Sequence, residues 1–492
     1  MSLKLNFFQQ SSMLLIPDLI KIITTVISSI FLAKIFGPER LGIYAAAALA
    51  MTYGTLLHLG IKNGAGLQVP FFIGKGEFNF ADQCVNSSIT GILAILFLFT
   101  APYGFLIYYF VANYELMVGL YLTWISLFFY EIYNMAEAKA RLNYRIKNVF
   151  YSQIFLHITR IFLLLYLAAT FGLIGAFIGL IVCYVPSLVY LYLNGERIYF
   201  SWDYEEIFKL IKIGFPLMLA GLLMTLFISI DRWIIISFIG IDQLGYYTFV
   251  IGITGVITII PQKIASFLSQ YIREAVGADV DIKIIIKATG IVYFLCLVLL
   301  APCILMIYHS GIYLISGFLV EYKESIPLFD VLIYASFFLT TYYFYSQLLV
   351  GLNLRKELLI SQGLSLIFLN FANFLALKLG YCLLGIAFVS LCGSLFLSFS
   401  VVYAAYKKIG TLKNSMIGYS ILSILITVIV FNIIDISSLT NITNLYEGMN
   451  TFFKIIAIDF VFLIFILIII IKLNITKSVM GFLRRDFSRQ QI

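Results

Sequence analysis

The feature that most constrains this chain is a succession of long apolar stretches with very little charge inside them. A bilayer's hydrocarbon core is about 30 Å thick, so at about 1.5 Å per residue a helix needs about 20 apolar residues to cross it. By that measure the sequence divides into fourteen spans: 13–33, 41–61, 84–110, 115–136, 149–170, 172–193, 213–238, 244–262, 288–308, 328–350, 358–377, 381–405, 415–434 and 452–472. Apolar residues make up 62% of the chain and charged ones 11%, where a soluble domain has about 45–50% and about a quarter. Hydrocarbon leaves a peptide group nothing to bond with except its own helix. The expected fold is therefore an all-α polytopic membrane protein with about 14 transmembrane helices. Pro17, Pro102, Pro186, Pro216 and Pro302 fall inside spans, where neighbouring helices must satisfy the freed backbone groups.

The positive-inside rule orients the spans. With the termini and even-numbered loops on one side, that side carries 24 Lys and Arg, including Lys62, Lys75, Lys139, Arg141 and Arg145, against five on the other (Lys34, Arg40, Lys323, Lys378, Lys454). Both termini are thus expected in the cytoplasm. The net charge of +8 then reflects orientation, and no nucleic-acid partner is expected. The N-terminus has one Lys ahead of its first apolar stretch and no small-residue cleavage site, so it reads as the lead into span 1 and not as a removable signal peptide.

Segment 194–212, NGERIYFSWDYEEIFKLIK, reads as an interfacial helix with Asp203 and Glu206 as a capping box and Trp202 at headgroup depth. On either side the halves resemble each other. FGPERLGIY at 36–44 recurs as IGIDQLGYY at 239–247, an offset of 203; RLNYR at 141–145 matches LNLRK at 352–356; Gly175 matches Gly385. A unit of six spans keeps both copies in the same orientation, giving two parallel-repeat six-helix lobes, 1–200 and 201–410, with two additional helices and a basic tail in 411–492.

Catalytic signals are few. Six cysteines (Cys84, Cys183, Cys296, Cys303, Cys382, Cys392) form no C-x-x-C pair and read as small apolar residues. The string IGKGEF at 73–78 lacks the spacing and the Ser or Thr of a phosphate loop. Asp279 and Asp281 form a D-x-D that reads as two acids on a solvated loop beside Lys283 and Lys287. No cofactor, metal or enzymatic activity is expected.

The informative residues are the ionisable ones inside spans, each costing about 2.5–3.5 kcal/mol at mid-membrane on insertion scales. The first half holds Asp18 and Lys21 in span 1, Glu131 in span 4, and His157 and Arg160 in span 5. Counting residues places all five in the cytoplasmic half of the bilayer. One reading is a self-neutralising network, Asp18 to Lys21 and Glu131 to Arg160, that pins helices. The other is a cavity wall in which Lys21, Arg160 and His157 meet an anionic headgroup while Asp18 or Glu131 exchanges H+ or Na+. The second half does not repeat the cluster: Arg160 corresponds to Leu369 or Asn370, and span 11 carries Asn370 and Asn373 on one face. Asp231 and Arg232 lie deep in span 7 and, as adjacent residues, must meet different neighbours; anchoring between helices and gating are both open to them.

FGPERLGIYA (36–45), LHLGIKNGAGLQVP (57–70), KLIKIGFPLMLAGLL (209–223) and DRWIIISFIGIDQLGYY (231–247) occur in an order that resembles the polysaccharide exporters and O-antigen flippases (Wzx-type) of the multidrug and oligosaccharidyl-lipid/polysaccharide exporter superfamily. The resemblance covers nearly the whole chain. It implies an undecaprenyl-pyrophosphate-linked oligosaccharide as cargo, carried across the bacterial inner membrane by alternating access, with a polysaccharide polymerase and a chain-length regulator as partners. It also implies Asp18 as counterpart of an acidic first-helix residue that couples cations in some multidrug relatives, although here Lys21 stands one turn away. Relatives that flip the peptidoglycan lipid precursor are richer in intramembrane arginine than this chain. Two other functions remain open at this stage: a cation-coupled drug exporter, which twelve spans would serve, and a membrane-embedded glycosyltransferase, polymerase or ligase, which usually carries a larger extracytoplasmic loop.

Overall fold

The structure, a computed structural model, describes residues 2–143, 145–277 and 281–409. Spans 415–434 and 452–472, and Asp279 of the D-x-D pair, lie outside the described residues. The described chain is helical and contains no strand: α1 (Ser2–Gly54), α2 (Ile61–Gly74), α3 (Phe78–Phe110), α4 (Tyr114–Leu142), α5 (Ile146–Val182), α6 (Tyr184–Leu193), α7 (Tyr204–Phe238), α8 (Ile241–Thr254), α9 (Val256–Gly277), α10 (Ile282–Tyr313), α11 (Ile326–Gly351), α12 (Arg355–Lys378) and α13 (Leu383–Ile409).

Among the described residues nine helical stretches are long and apolar enough to cross a membrane, or ten with the bent pair α8 and α9. Two are far longer than one crossing needs: Ile16–Gly54 has 39 residues and Ile146–Leu193 has 48, about 58 and about 72 Å of helix. Each is broken by a glycine in a conformation closed to other residues, Gly37 (φ 67°, ψ 178°) and Gly172 (φ 62°, ψ −143°). The first break falls in the gap between spans 1 and 2, and the second at the first residue of span 6. Pro186 lies in the first turn of α6 and cannot donate to the carbonyl four residues back, which accounts for the interruption near Cys183 that separates α5 from α6. Carbonyls around the break are satisfied by side chains: Ser126 Oγ of α4 donates to the Leu180 carbonyl (3.1 Å) and Thr159 Oγ1, from the part of α5 before Gly172, to that of Cys183 (3.2 Å).

The helices gather into two compact units, Met1–Gly252 and Ile253–Ile492. The first reaches past the lobe boundary expected at 200 because α7 is clasped by α2. Gly60, Gly64 and Gly214 let the two backbones touch; a Cβ at Gly214 would overlap the Gly60 carbonyl, and one at Gly64 the Leu210 carbonyl. Around this crossing Ile61, Ile89, Ile92, Leu127 and Leu210 are buried in one apolar core.

The expected helix over 194–212 is corrected. Residues 196–203 are not helical, and 204–212 are the opening turns of α7. The Asp203 cap does form: Oδ1 accepts from the Glu206 amide (3.0 Å), while Oδ2 accepts from Gln83 of α3 (3.1 Å). The non-helical strap is tied to α3 by the Tyr199 amide on Asn86 Oδ1 (3.3 Å) and the Ser201 amide on Thr90 Oγ1 (3.0 Å). Lys139, bridged to Asp82 at 2.9 Å, lies over the Tyr199 ring. At the head of the strap the buried Glu196 carboxylate accepts from Asn143 (3.0 Å), Arg145 (3.3 Å) and Asn148 (3.2 Å). Part of the RLNYR repeat segment is thus a carboxylate clamp.

In the second unit α11 is the buried centre, packed by α9, α10, α12 and α13. Hydroxyls and amides tie it to them: Tyr293 to Thr341 (2.6 Å), Gln362 Nε2 to the Tyr342 hydroxyl (2.7 Å), and Ser398 Oγ to the Phe338 carbonyl (2.6 Å).

Removing a charged acceptor that serves three donors is costly, on the order of 1.5–3 kcal/mol. Glu196→Ala is expected to lower stability by about that amount in thermal unfolding in detergent, whereas Glu205→Ala, at an exposed position of α7, leaves the transition in place.

Candidate functional site

Helical periodicity sets the site's geometry. On α1, Asp18 and Lys21 are three residues apart, and so are His157 and Arg160 on α5; each pair therefore shares a face. α1 and α5 pack against each other in the first unit, which brings the four together. His157 is buried and lies within Coulombic reach of Lys21, Arg160 and Asp18. Lys21 is exposed, and Asp18 and Arg160 are half-buried. The Arg160 guanidinium lies within electrostatic reach of the Tyr44 hydroxyl, on the stretch of α1 beyond Gly37, and of Tyr184 and Cys183. Tyr44 is itself stacked on Phe177 at 5.4 Å between ring centroids.

Glu131 corrects the expected network. It does not pair with Arg160; its carboxylate, 1% exposed, is held by Lys62 Nζ of α2 at 3.2 and 3.4 Å. Lys62 also lies over the Tyr130 ring, 5.0 Å from its centroid. The reason is local: α2 begins at Ile61, so Lys62 is a helical residue facing α4 and not the loop cation of the positive-inside count. The five charges therefore form two groups. Tyr184 stands between them, within Coulombic reach of Arg160, Glu131 and Tyr130.

Asp231 and Arg232 do take different surroundings, as adjacency requires. Asp231, buried, accepts from the Tyr247 hydroxyl and from the Arg232 amide at 2.8 Å. The Arg232 Nε is buried with no hydrogen-bond partner among the described residues. Both fall in the first compact unit. Asn370 and Asn373, three apart on α12, differ in burial. Asn370 is exposed, its amide turned back onto the Leu366 carbonyl of its own helix (2.8 Å), while Asn373 is fully buried with neither amide atom bonded among the described residues. Residues three apart differ by about 300° around the axis, and the edge of the packed face runs between them. Leu369, the other residue matched to Arg160, is buried, so the second half has no cation there.

Sequence reasoning misses Lys62, Tyr44, Tyr184 and Asp330, which accepts from Tyr308 at 2.6 Å. Lys62 carries a signal: it follows His58 by four residues, one helical turn, inside an apolar stretch longer than one crossing. The tyrosines carry none, standing among 33 until packing places them.

Residues 83–275 match the profile of a family described as polysaccharide biosynthesis protein. No curated protein matches the chain in sequence. The fold is that of the MOP superfamily transporters. An inward-facing multidrug resistance MATE family transporter superposes with a TM-score of 0.67 at 16% identity, over 80% of this chain and 95% of its own. The lipid II flippase MurJ in an inward closed conformation gives 0.61 at 14%, over 87% and 99%. A point mutant of the Vibrio cholerae MATE transporter VcmN gives 0.57 at 16%, over 83% and 98%. The family profile covers less than half of the chain and the solved structures share its fold; with its succession of long apolar helices the chain is a multi-pass membrane protein.

Breaking a buried pair strands the buried partner, less so here because the Lys62 side chain is 30% exposed. Lys62→Met is expected to cost on the order of 1–3 kcal/mol, and Lys62→Met with Glu131→Leu to recover more than half of it, read by thermal unfolding of the two variants side by side.

Proposed function

We propose that this protein flips a lipid-linked oligosaccharide, an O-antigen or other surface-polysaccharide repeat unit on undecaprenyl pyrophosphate, across the bacterial inner membrane by alternating access. The observation that carries this reading is the convergence of Lys21, Arg160 and His157 with Asp18 on α1 and α5. A diphosphate has several acceptor oxygens, and a planar guanidinium beside an ammonium suits it geometrically as well as electrically. The match to a polysaccharide biosynthesis family and a fold shared with a lipid II flippase support a cargo of this class.

The roles divide by environment. Lys21, Arg160 and His157 receive the pyrophosphate. Asp18, half-buried beside them, is the carboxylate placed to exchange H+ or Na+. Glu131 is engaged by Lys62 and serves as a coupling group only when that pair opens. Asp231, through Tyr247, anchors α7 to α8, and Asn373 is buried in the packed face of α12. Termini in the cytoplasm put loading on the side where repeat units are assembled, and a polymerase and chain-length regulator would take them up on the other. The protein acts as a transporter and not as an enzyme.

A fold shared with a multidrug resistance transporter favours one other reading, a cation-coupled exporter of drugs or other small molecules. Deleting the gene separates the two: trapped lipid-linked repeat units on the inner leaflet support the flippase, whereas raised drug accumulation with normal surface polysaccharide supports the exporter. For the site itself, Arg160→Ala and Lys21→Ala are expected to reduce flipping by at least about tenfold, about 1.4 kcal/mol each, and Arg160→Lys by less, at unchanged protein level. Equal loss of folded protein in all three would mark the group as structural.

A further inference from the structure

The duplication reaches a surface that the pyrophosphate site does not involve. Its mark on the fold is direct: within the first unit Gly42 and Gly245, equivalent at the offset of 203, meet reciprocally. A Cβ at Gly42 would overlap the Ile241 carbonyl, and one at Gly245 the carbonyl of Pro38, the equivalent of Ile241. The repeat also relates α5 and α6 to α12 and α13. Thr159 Oγ1 of α5 donates to the Cys183 carbonyl at the head of α6 (3.2 Å), and Ser361 Oγ of α12 to the Ser400 carbonyl of α13 (3.3 Å). Counting along the antiparallel chains from these contacts sets Lys147 level with residue 195 and Lys356 level with residue 405. In each case a second cation stands two residues further on, Arg197 and Lys407. Arg197 lies over the Tyr192 ring, 5.5 Å from its centroid, and Lys407 over the Tyr403 ring at 5.7 Å.

From each lysine an exposed apolar stripe runs along one helix face. Tyr151, Phe155 and Phe162 follow Lys147; their equivalents at an offset of 209, Ile360, Leu364 and Phe371, follow Lys356. On α12 the stripe closes at Lys378, about 33 Å from Lys356, which matches the hydrocarbon thickness of a bilayer. All four cations are exposed, and none forms a salt bridge among the described residues. The acids next to them in sequence are turned elsewhere: Glu196 is held by Asn143, Arg145 and Asn148, and Glu357 is about 100° around α12 from Lys356.

We propose that each of these faces, α5 with α6 and α12 with α13, binds an anionic phospholipid, its phosphate between the two cations and its acyl chains along the stripe. Cations without a carboxylate keep their attraction for phosphate, and an apolar stripe one bilayer long calls for a ligand with a hydrocarbon tail, which an acidic protein segment lacks. The chain's own residues 477–489 carry Lys477, Arg484, Arg485 and Arg489 against Asp486, the wrong charge to fill such a place. The proposal holds for either cargo.

The test is native mass spectrometry of the full chain in detergent with an equimolar mixture of phosphatidylglycerol and phosphatidylcholine. The wild type should retain phosphatidylglycerol in preference. Lys147→Gln with Arg197→Gln, and Lys356→Gln with Lys407→Gln, should each weaken retention at one face by about fivefold per charge removed, and the four changes together should abolish the preference. Lys75→Gln with Lys212→Gln, exposed cations elsewhere in the first unit, should leave it unchanged, and thermal unfolding should be the same in every variant. Equal retention of the two lipids by the wild type, or an equal loss in the Lys75 and Lys212 variant, overturns the proposal. So does undecaprenyl phosphate displacing phosphatidylglycerol from both faces at equal concentration, which assigns them to a cargo carrier.

Discussion

Everything in this structure follows from the poverty of hydrocarbon as a hydrogen-bonding solvent. A peptide group there must bond within its own chain, and the helix is the local way to do so. That requirement turns 62% apolar composition into long helices, and it leaves few places where such helices can bend or touch closely. Glycine and proline mark several of them. Gly37 and Gly172 divide helices that would otherwise run far beyond a bilayer; Pro186 sits beside the break at Cys183; Gly60, Gly64, Gly214, Gly42 and Gly245 let backbones meet.

The same solvent makes each buried charge seek a partner, and partner choice gives the first unit its polar interior. Glu131 takes Lys62 rather than Arg160 because α2 enters beside α4 at the right register. Arg160, left without a carboxylate partner from α4, sits beside the Tyr44 and Tyr184 phenols. A neutral partner satisfies hydrogen bonds without cancelling charge, and a guanidinium in that condition keeps its attraction for an anion. Lys21 borders the same place, so Lys21 and Arg160 stand there against the single carboxylate of Asp18, where the other pair is balanced.

The helical architecture is legible in the sequence because apolar length is a local property. The gaps at 34–40 and 171 lie at or beside the glycine breaks, and the Asp203 cap appears as its pattern requires. Register between helices is not legible, since it depends on packing. This is why residue counting pairs Glu131 with the wrong cation, why Asn370 and Asn373 part, and why Lys62 passes as a loop residue. The strap at 196–203 escapes for a related reason: its aromatic and charged residues suit an interface helix, but hydrogen bonds to Asn86 and Thr90 hold the backbone out of helical form.

The reciprocal meeting of residues 38 and 42 with 245 and 241 bears on how such a chain came to be. A contact in which one patch faces its own equivalent is isologous, the kind made by two identical subunits about a two-fold axis. In a dimer of undivided six-helix chains any substitution there would have appeared on both faces at once. Within one polypeptide the two faces are free to differ, and they do: Pro38 takes the place that Ile241 has in the other copy, and Tyr44 lies beside a cation where Tyr247 donates to a carboxylate.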